Sequence, residues 1–404
     1  MLLVGFDDTD SRAGGCTTSL AQPVRDLFPR LTPAGPARLV RLNPNVPWKT
    51  RGNGAVALSF EEDAPLDDAL ARVRRLIERV AQREEGTSPG IVVSRAPLPP
   101  WLYEAAVTRI VERGELPLDG ATMRWWGGRG VIGAAAALSW PAKRTTWERI
   151  VYRDIMTRHV DPLRVRDVEL SFPTLFDTYD LVEDDVVCVP SSPCPVLWGL
   201  RGTDPDELER ASATLGPQRP ARETLFLTNH ASDDHLVDRA SDAVRAYDSA
   251  RVRGRVASDP IERNGHVHLE VEGLRCAAYA PTRSFRAVVA QLRAGDDVTV
   301  CGGCHEGPDG RLTLGIEKMN VHATTPRRVG NPHCPTCGRA MKSAGRGAGY
   351  RCCGSRATAP RTTSAALFGW YEVPSSARRH LARPLKLGLA APEGLMCHPP
   401  VCDS

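Results

Sequence analysis

Apolar and polar positions along residues 1–120 fall into blocks whose period switches between that of a strand and that of a helix. Leu2 to Phe6 is a short unbroken apolar run, the pattern of a strand buried on both faces. Thr18 to Phe28 reads as a helix interrupted early by Pro23. Ala37 to Leu42 and Ala55 to Phe60 are further strand candidates, separated by the loop NPNVPWKTRGNG. Leu66, Leu70, Val73, Leu76 or Ile77 and Val80 then recur at helical spacing, with Asp67 and Asp68 suited to the N-terminal turn. Ile91 to Ser94 is another strand, and Trp101 to Val111 another amphipathic helix. Strands alternating with helices predict an α/β sandwich, one edge of which brings the acidic loop after Phe6 beside the Lys49–Asn53 loop.

Two further patterns follow. In WWGGRGVIGAAAALSW, Gly127, Gly128, Gly130 and Gly133 precede a small-residue helix from Ile132 to Leu138. The glycines fit a backbone approach to phosphate or RNA and, equally, a tight turn before a closely packed helix. Beyond it, VCVPSSPCPVLWGLRG places Arg201 at a glycine turn. LFLTNHASDDHL is an apolar strand delivering Asp233, Asp234 and His235, for which turn and cap roles outweigh metal binding. From Arg251 to Val321 the pattern is three strands (252–258, 266–271, 276–280), a helix from Pro281 to Leu292 and two strands (298–302, 312–318). That is the order of an OB barrel, whose face commonly binds single-stranded nucleic acid.

Composition narrows the class. A chain of 404 residues suggests two to four domains, and 42% hydrophobic with 25% charged residues is ordinary for a soluble globular protein. No run of eighteen apolar residues occurs and the N-terminus lacks a secretory pattern, so a cytoplasmic protein with no membrane association is expected. Net charge is only +4, yet residues 327–386 hold twelve Lys or Arg against one acid, Glu372, which points to a polyanionic partner.

Candidate chemistry gathers at the two ends of the chain. Asp7, Asp8 and Asp10 close the first strand, and clustered carboxylates there are costly unless a divalent cation shares them. Magnesium with nucleotide phosphates is the usual occupant. Gly14 and Gly15 permit backbone N–H groups to approach a phosphate, and a helix beginning near Thr17 adds its positive end. A solvated turn capped by Asp and Thr, or a phosphatase-type nucleophile at Asp8 with an acid at Asp10, would share this pattern. Lys49, Arg51 and Asn53 form a second polar, glycine-flanked segment.

At the other end, Cys334 and Cys337 have the spacing of a zinc knuckle, with Gly338 permitting the turn. The matching half reads Arg351-Cys352-Cys353-Gly354, without a spacer. Adjacent strand residues point oppositely, so Cys352 and Cys353 are expected not to face one metal easily, leaving His333 or a distorted loop to complete the set. The twelve cysteines do not form a disulfide framework. Cys301 and Cys304 read as barrel-strand residues, and Cys397 and Cys402 receive no role.

Together, DDTDS…GGCTT, RLNPNVPWKTRGNGA, GGRGVIGA, PCPVLWGLRG, LTNHASDDHL, the barrel and CPTCGRAMKSAG…GYRC resemble the archaeal isoleucine-tRNA 2-agmatinylcytidine synthetase family over residues 1 to about 386. The resemblance implies a multidomain α+β chain: a kinase-like catalytic domain (1–120), a ferredoxin-like domain (121–247), an OB-fold domain (248–325), a zinc ribbon (326–358) and a basic C-terminal segment (359–404). It implies an ATP-dependent ligase joining agmatine to C2 of the wobble cytidine of the isoleucine tRNA with anticodon CAU, through a phosphorylated cytidine and with release of AMP and diphosphate. It also implies that Thr18 is a phosphoacceptor. Asp7, Asp8 and Asp10 would hold magnesium, and Gly15, Cys16, Thr17, Lys49, Arg51 and Asn53 would contact ATP phosphates, with an RNA phosphate as the alternative for Lys49 and Arg51. Cys334, Cys337, Cys352 and Cys353 are the zinc candidates. The competing readings are a non-catalytic RNA-binding protein and a magnesium-dependent phosphotransferase or phosphatase.

Overall fold

The computed structural model describes residues 1–388 apart from 51, 82–85, 119, 121, 154–157, 216–221 and 364–366, and omits the side chains at 327–329 and 361–363. Arg51, Cys397 and Cys402 lie outside the described residues.

The N-terminal half is one mixed sheet between helices. Its strands are β1 (Leu2–Asp7), β2 (Ala37–Arg41), β3 (Gly54–Phe60), β4 (Gly90–Ser94), β5 (Met123–Gly127), β6 (Thr146–Tyr152) and β7 (Leu175–Phe176), then, after a small hairpin β8 (Tyr179–Asp180) and β9 (Asp185–Val186), β10 (Val196–Gly202) and β11 (Arg222–Thr228). The nine strands run β5-β4-β1-β3-β2-β11-β6-β10-β7. Every neighbour pair is antiparallel except β2 with β11, which run parallel with Ala37 opposite Phe226.

β1 sits deep in this sheet, and every one of its six residues is buried. Leu2, Val4 and Phe6 pack on one face against helix α2 (Leu66–Val80), which follows the short helix α1 (Ala21–Arg25). Leu3 packs on the other face against α3 (Trp101–Thr108) and α4 (Gly130–Ser139). Covering both faces explains why the strand reads as an uninterrupted apolar run rather than an alternating one.

The glycines where α4 meets the sheet serve packing. A Cβ on Gly90 would lie 1.8 Å from the Val131 nitrogen, one on Gly5 2.3 Å from the Ala134 carbonyl oxygen, and one on Gly133 1.9 Å from Asp7 Oδ2. The α4 backbone therefore lies directly on β1 and β4, and Ala134 to Ala137 keep it there by being small. Residues 123–139, which open the second segment in the sequence reading, thus complete the core of the first.

The third segment is a small closed barrel. Ser249–Arg255 pairs with Asp297–Glu306, which pairs with Leu312–Ala323; that strand runs parallel to Leu274–Ala278, which pairs with His266–Val271. A bridge between Val256 and Val271, with Ala257 N–H donating to the Glu270 carbonyl, closes the circuit. Cys301 and Cys304 are buried strand residues, as expected. The helix expected over 281–292 is only Phe285–Val289, because the 3-10 turn Ala280–Thr282 ends at Arg283 in a left-handed conformation, φ +48°.

After the barrel, Lys342–Ser343, Tyr350–Cys352 and Ser355–Ala357 form a miniature sheet. The chain then returns. Gly369–Glu372 adds to the long barrel strand, and residues 373–388 strap the barrel to the large sheet. Arg378 pairs with Asp177 and with Glu372 at 2.9 Å, Lys386 with Glu169 at 2.5 Å, and Arg379 Nη1 donates to Asn45 Oδ1 at 2.5 Å. Arg383 donates to the carbonyls of Ala231, Leu387 and Gly388. These four cations, counted in the sequence as part of a polyanion-binding end, are committed within the fold. Arg339, Lys342, Arg346, Arg351 and Arg356 of the ribbon remain exposed.

Candidate functional site

The apolar run of β1 ends in carboxylates at a strand terminus. Asp7 is buried, its Oδ1 accepts the Asp8 N–H at 2.7 Å, and α4 packs against it at Gly133. Burial, reinforced by the Asp8 charge, pushes its carboxyl well above the usual range. Asp8 adopts a left-handed conformation, φ +56°, which redirects the chain out of the strand. Burial lifts the Asp8 carboxyl to about 6, with Arg129 opposing the rise and Asp10 adding to it. Arg129 Nη2 lies 4.0 Å from Asp8 Oδ2, and its guanidinium stacks over Trp48 at 5.4 Å.

The loop between β2 and β3 closes over these acids. Asn43 and Asn45 donate to the carbonyls of Tyr247 and Asp248 at 3.0 Å, pinning the loop to the barrel's entrance. Asn53 donates to the Asn43 carbonyl at 3.1 Å, so it closes the loop on itself. Thr50 Oγ1 donates to Asp10 Oδ2 at 2.9 Å. Lys49 donates to the Pro44 carbonyl, and burial, helped by Arg379, lowers its ammonium to about 8. Asp7, Asp8, Asp10, Lys49, Asn53 and Arg129 consequently line one cavity.

Thr17 and Thr18 line a second cavity that shares Asp10, Gly52 and Gly54 with the first. The Thr17 hydroxyl accepts the Thr9 hydroxyl at 3.0 Å, whereas the Thr18 hydroxyl meets Cys16 Sγ at 2.9 Å. Thr18 makes no helix cap: the helix here is the four-residue 3-10 turn Thr17–Leu20, and its N-cap, Cys16, has no side-chain cap bond. Gly15, φ +75°, shapes the turn before it but is not among the residues lining either cavity. The far wall holds residues the sequence reading did not select: Arg41 of β2, Glu148 of β6, Arg201 of β10 and His380 of the C-terminal strap. Glu148 pairs with Arg41 at 2.7 Å and with Arg201 at 3.3 Å. Although burial opposes it, these guanidiniums hold the Glu148 carboxyl well below its usual range. His230 packs edge-on to His380 at 4.9 Å, and burial holds both imidazoles neutral, with Arg201 and Arg41 respectively adding to the effect. Only the Gly-Leu-Arg-Gly stretch around Arg201, expected as a turn but found as the end of strand β10, signalled any of this in the sequence.

Asp233, Asp234 and His235 are committed to protein partners. Lys318 pairs with Asp233 at 2.7 Å, Tyr103 donates to Asp234 at 2.7 Å, and His235 Nε2 meets Glu317 at 2.7 Å.

Far along the chain, four thiols converge. The sulfurs of Cys334, Cys337, Cys352 and Cys353 all lie within 4.8 Å of one another, with Cys337–Cys352 at 3.6 Å and Cys352–Cys353 at 3.7 Å. Tetrahedral zinc with Zn–S near ~2.3 Å requires sulfurs roughly 3.8 Å apart, so the set fits. The expectation that Cys352 and Cys353 would oppose each other is corrected. The strand ends at Cys352, and Cys353 and Gly354, at φ +48° and +78°, form a two-residue hairpin turn that swings the second thiol to the same side.

Comparison with known proteins now decides the family. Family models match at residues 3–118 (TiaS TCKD domain), 128–235 (TiaS FLD domain) and 331–365 (TiaS C-terminal zinc ribbon domain). The isoleucine-tRNA 2-agmatinylcytidine synthetase TiaS of Archaeoglobus fulgidus is 38% identical over 95% of this chain and 96% of its own. That of Methanopyrus kandleri is 38% identical over 97% and 99%. The chain belongs to the TiaS family. Solved structures agree: a complex of TiaS with its isoleucine tRNA and ATP superposes with a TM-score of 0.83 at 35% identity, covering 98% of this chain and 99% of that one. A complex of TiaS with the same tRNA, AMPCPP and agmatine gives 0.81 at 32% identity, covering 98% of each. Within this TiaS-family chain the fold is mixed α+β over several sheets and includes a zinc-ribbon domain. Among the described residues no helix is long and apolar enough to cross a membrane.

Proposed function

We propose that this chain is an ATP-dependent ligase that attaches agmatine to C2 of the wobble cytidine of the isoleucine tRNA with anticodon CAU, allowing AUA to be read as isoleucine. The observation that carries this reading is the near-full-length relationship to agmatinylcytidine synthetases, in a chain whose opening carboxylates line a cavity. It rests on a kinase-like domain, a ferredoxin-like domain, an OB-fold domain and the ribbon, expected over 1–120, 121–247, 248–325 and 326–358, the first of them extended through residue 139 because α4 packs into its core, with the segment from 359 carrying the strap.

The chemistry follows from the residues. Oxygen on cytosine C2 is a very poor leaving group, so an amine cannot displace it directly. Transfer of a phosphoryl group from ATP to that oxygen makes it one, after which the primary amine of agmatine attacks C2 and phosphate departs. The ADP moiety that remains, cut by water between its α- and β-phosphorus, leaves as AMP and a second phosphate, so the three phosphorus atoms of ATP are accounted for, with Thr18 as the phosphoacceptor within the protein. Asp8 and Asp10, at the cavity surface, suit magnesium, which is commonly held by one or two carboxylates together with substrate phosphates. Magnesium bound there would neutralise charge developing on the transferred phosphoryl group. Asp7, buried behind them, sets the position of Asp8 through its N–H. Lys49 and Arg129 supply fixed positive charge across the cavity, and Thr50 keeps Asp10 aimed. Gly15, Cys16, Thr17, Arg51 and Asn53 complete the candidate phosphate-binding surface. The four thiolates hold zinc, and the exposed ribbon arginines grip RNA phosphates.

The test is incubation of purified protein with ATP, magnesium, agmatine and the CAU-anticodon isoleucine tRNA, followed by nucleoside mass analysis. The mass of agmatinylated cytidine is expected. Its absence from correctly folded protein would overturn the proposal.

A further inference from the structure

The cavity beyond Thr18 has its own chemistry. Its volume is about 280 Å³, and three strands distant in sequence bring Arg41, Glu148 and Arg201 to its inner end. Two guanidiniums there face one carboxylate, which already accepts from both. The neighbouring imidazoles of His230 and His380 are held neutral and add no charge. The other acid on the wall, Asp10, lies where the two cavities meet and is engaged by Thr50. Arg41 is only 8% exposed, and its Nε–H has no hydrogen-bond partner. The guanidinium is therefore only partly satisfied by the protein, and charge-assisted N–H bonds from a planar fork are what a phosphate oxyanion takes up.

We infer that Arg41 and Arg201 form an oxyanion subsite for a terminal phosphate or diphosphate group, reached through the Thr17–Thr18 wall. This deepens the ligase reading and rests on it for the nucleotide source of the group. The geometry favours that source over the RNA backbone. A backbone phosphate is a diester that carries a sugar on each side and needs an open groove, whereas these arginine side chains are only 10% and 12% exposed. A dication such as agmatine is disfavoured at the inner end for the same reason that an anion is favoured.

Calorimetric titration of the full-length protein with inorganic diphosphate, without tRNA, tests the subsite. Wild-type protein should bind, and Arg201→Gln should weaken binding at least tenfold while leaving tRNA affinity unchanged. Where Arg201→Gln does not fold, by circular dichroism, Arg201→Lys decides: it keeps a charge beside Glu148 but loses the planar fork, and should weaken diphosphate severalfold. Equal binding by wild type and the folded variant, or no binding by wild type, overturns the inference. Suppression of diphosphate binding by a short RNA carrying only backbone phosphates would also overturn it, since the subsite would then be open to diesters. Failure of the ligase reading is separable. Arg201-dependent diphosphate binding in a protein that makes no agmatinylated tRNA upholds the subsite, and normal product with Arg201-independent binding removes it alone.

Discussion

The Thr50 hydroxyl donates a 2.9 Å hydrogen bond to the Asp10 carboxylate and so joins two loops forty residues apart. Asp10 lies on the wall shared by the carboxylate and threonine cavities. Whatever moves the loop that carries Lys49 and Thr50 therefore acts on both cavities at once. That loop is itself pinned to the barrel by Asn43 and Asn45, and Asn45 is gripped by Arg379 of the C-terminal strap.

Loss of the reacting groups should abolish product without loss of RNA binding. Asp8→Ala and Thr18→Ala are each expected to lower agmatinylated tRNA at least a hundredfold, while filter-binding affinity for the tRNA changes less than twofold. A parallel loss of tRNA binding would mean these residues serve recognition rather than chemistry.

Loosening the strap should act at a distance. Arg379→Ala removes the strap's hold on Asn45 Oδ1 and leaves the loop held to the barrel through Asn43 and the Asn45 amide nitrogen alone, so kcat should fall severalfold while tRNA affinity holds. Steady-state kinetics that show only a raised KM for tRNA would place Arg379 at the RNA surface instead.

The pH dependence of stability has a definite sign. The Asp8 carboxyl titrates near 6 in the folded chain against an ordinary value of 3.8. Above pH 4 the unfolded chain therefore releases this proton more readily than the folded one, and the site costs stability that grows to its full size above pH 6. Allowing for its partial exposure, the cost is on the order of 1–2 kcal/mol. Asp8→Asn should accordingly melt higher than wild type at pH 7.5 in chelator, with the difference vanishing near pH 4. A variant that melts lower at pH 7.5 would contradict the charge assignment.

Gly133→Ala tests the close approach of α4 to Asp7. The added Cβ would stand 1.9 Å from Asp7 Oδ2, so helix or carboxylate must shift. A loss of roughly 1–3 kcal/mol by urea denaturation is expected, together with loss of activity.

The ribbon should carry one zinc on four thiolates. Elemental analysis should give one zinc per chain, lost in Cys353→Ser as fully as in Cys337→Ser. Zinc-free protein should bind tRNA more weakly and ATP as before. Full zinc retention by Cys353→Ser would restore a three-thiolate set with another ligand.

Local residues alone already indicated much of this. The all-apolar β1 ending in three carboxylates, the helical recurrence of Leu66 to Val80 and the Cys334–Cys337 knuckle are patterns in which neighbouring residues settle the outcome, because backbone geometry dictates which side chains share a face. The order of barrel strands was legible for the same reason, while its helix shrank because Pro281 and Arg283 interrupt it.

By itself, the sequence determined the carboxylate terminus, the pair of threonines, the strand order of the barrel and the count of thiols. Tertiary structure alone decided where these meet. Parallel pairing of β2 with β11 brings Arg41, Glu148 and Arg201 to one wall, a hairpin turn at Cys353–Gly354 turns two adjacent thiols to one side, and the strap delivers His380 from beyond the ribbon. It also turned basic residues of the C-terminal segment inward, onto Asp177, Glu372 and Glu169. Most of these juxtapositions join residues far apart in the chain, and their free energy is settled by burial and charge pairing in the folded protein and leaves no local periodicity to read.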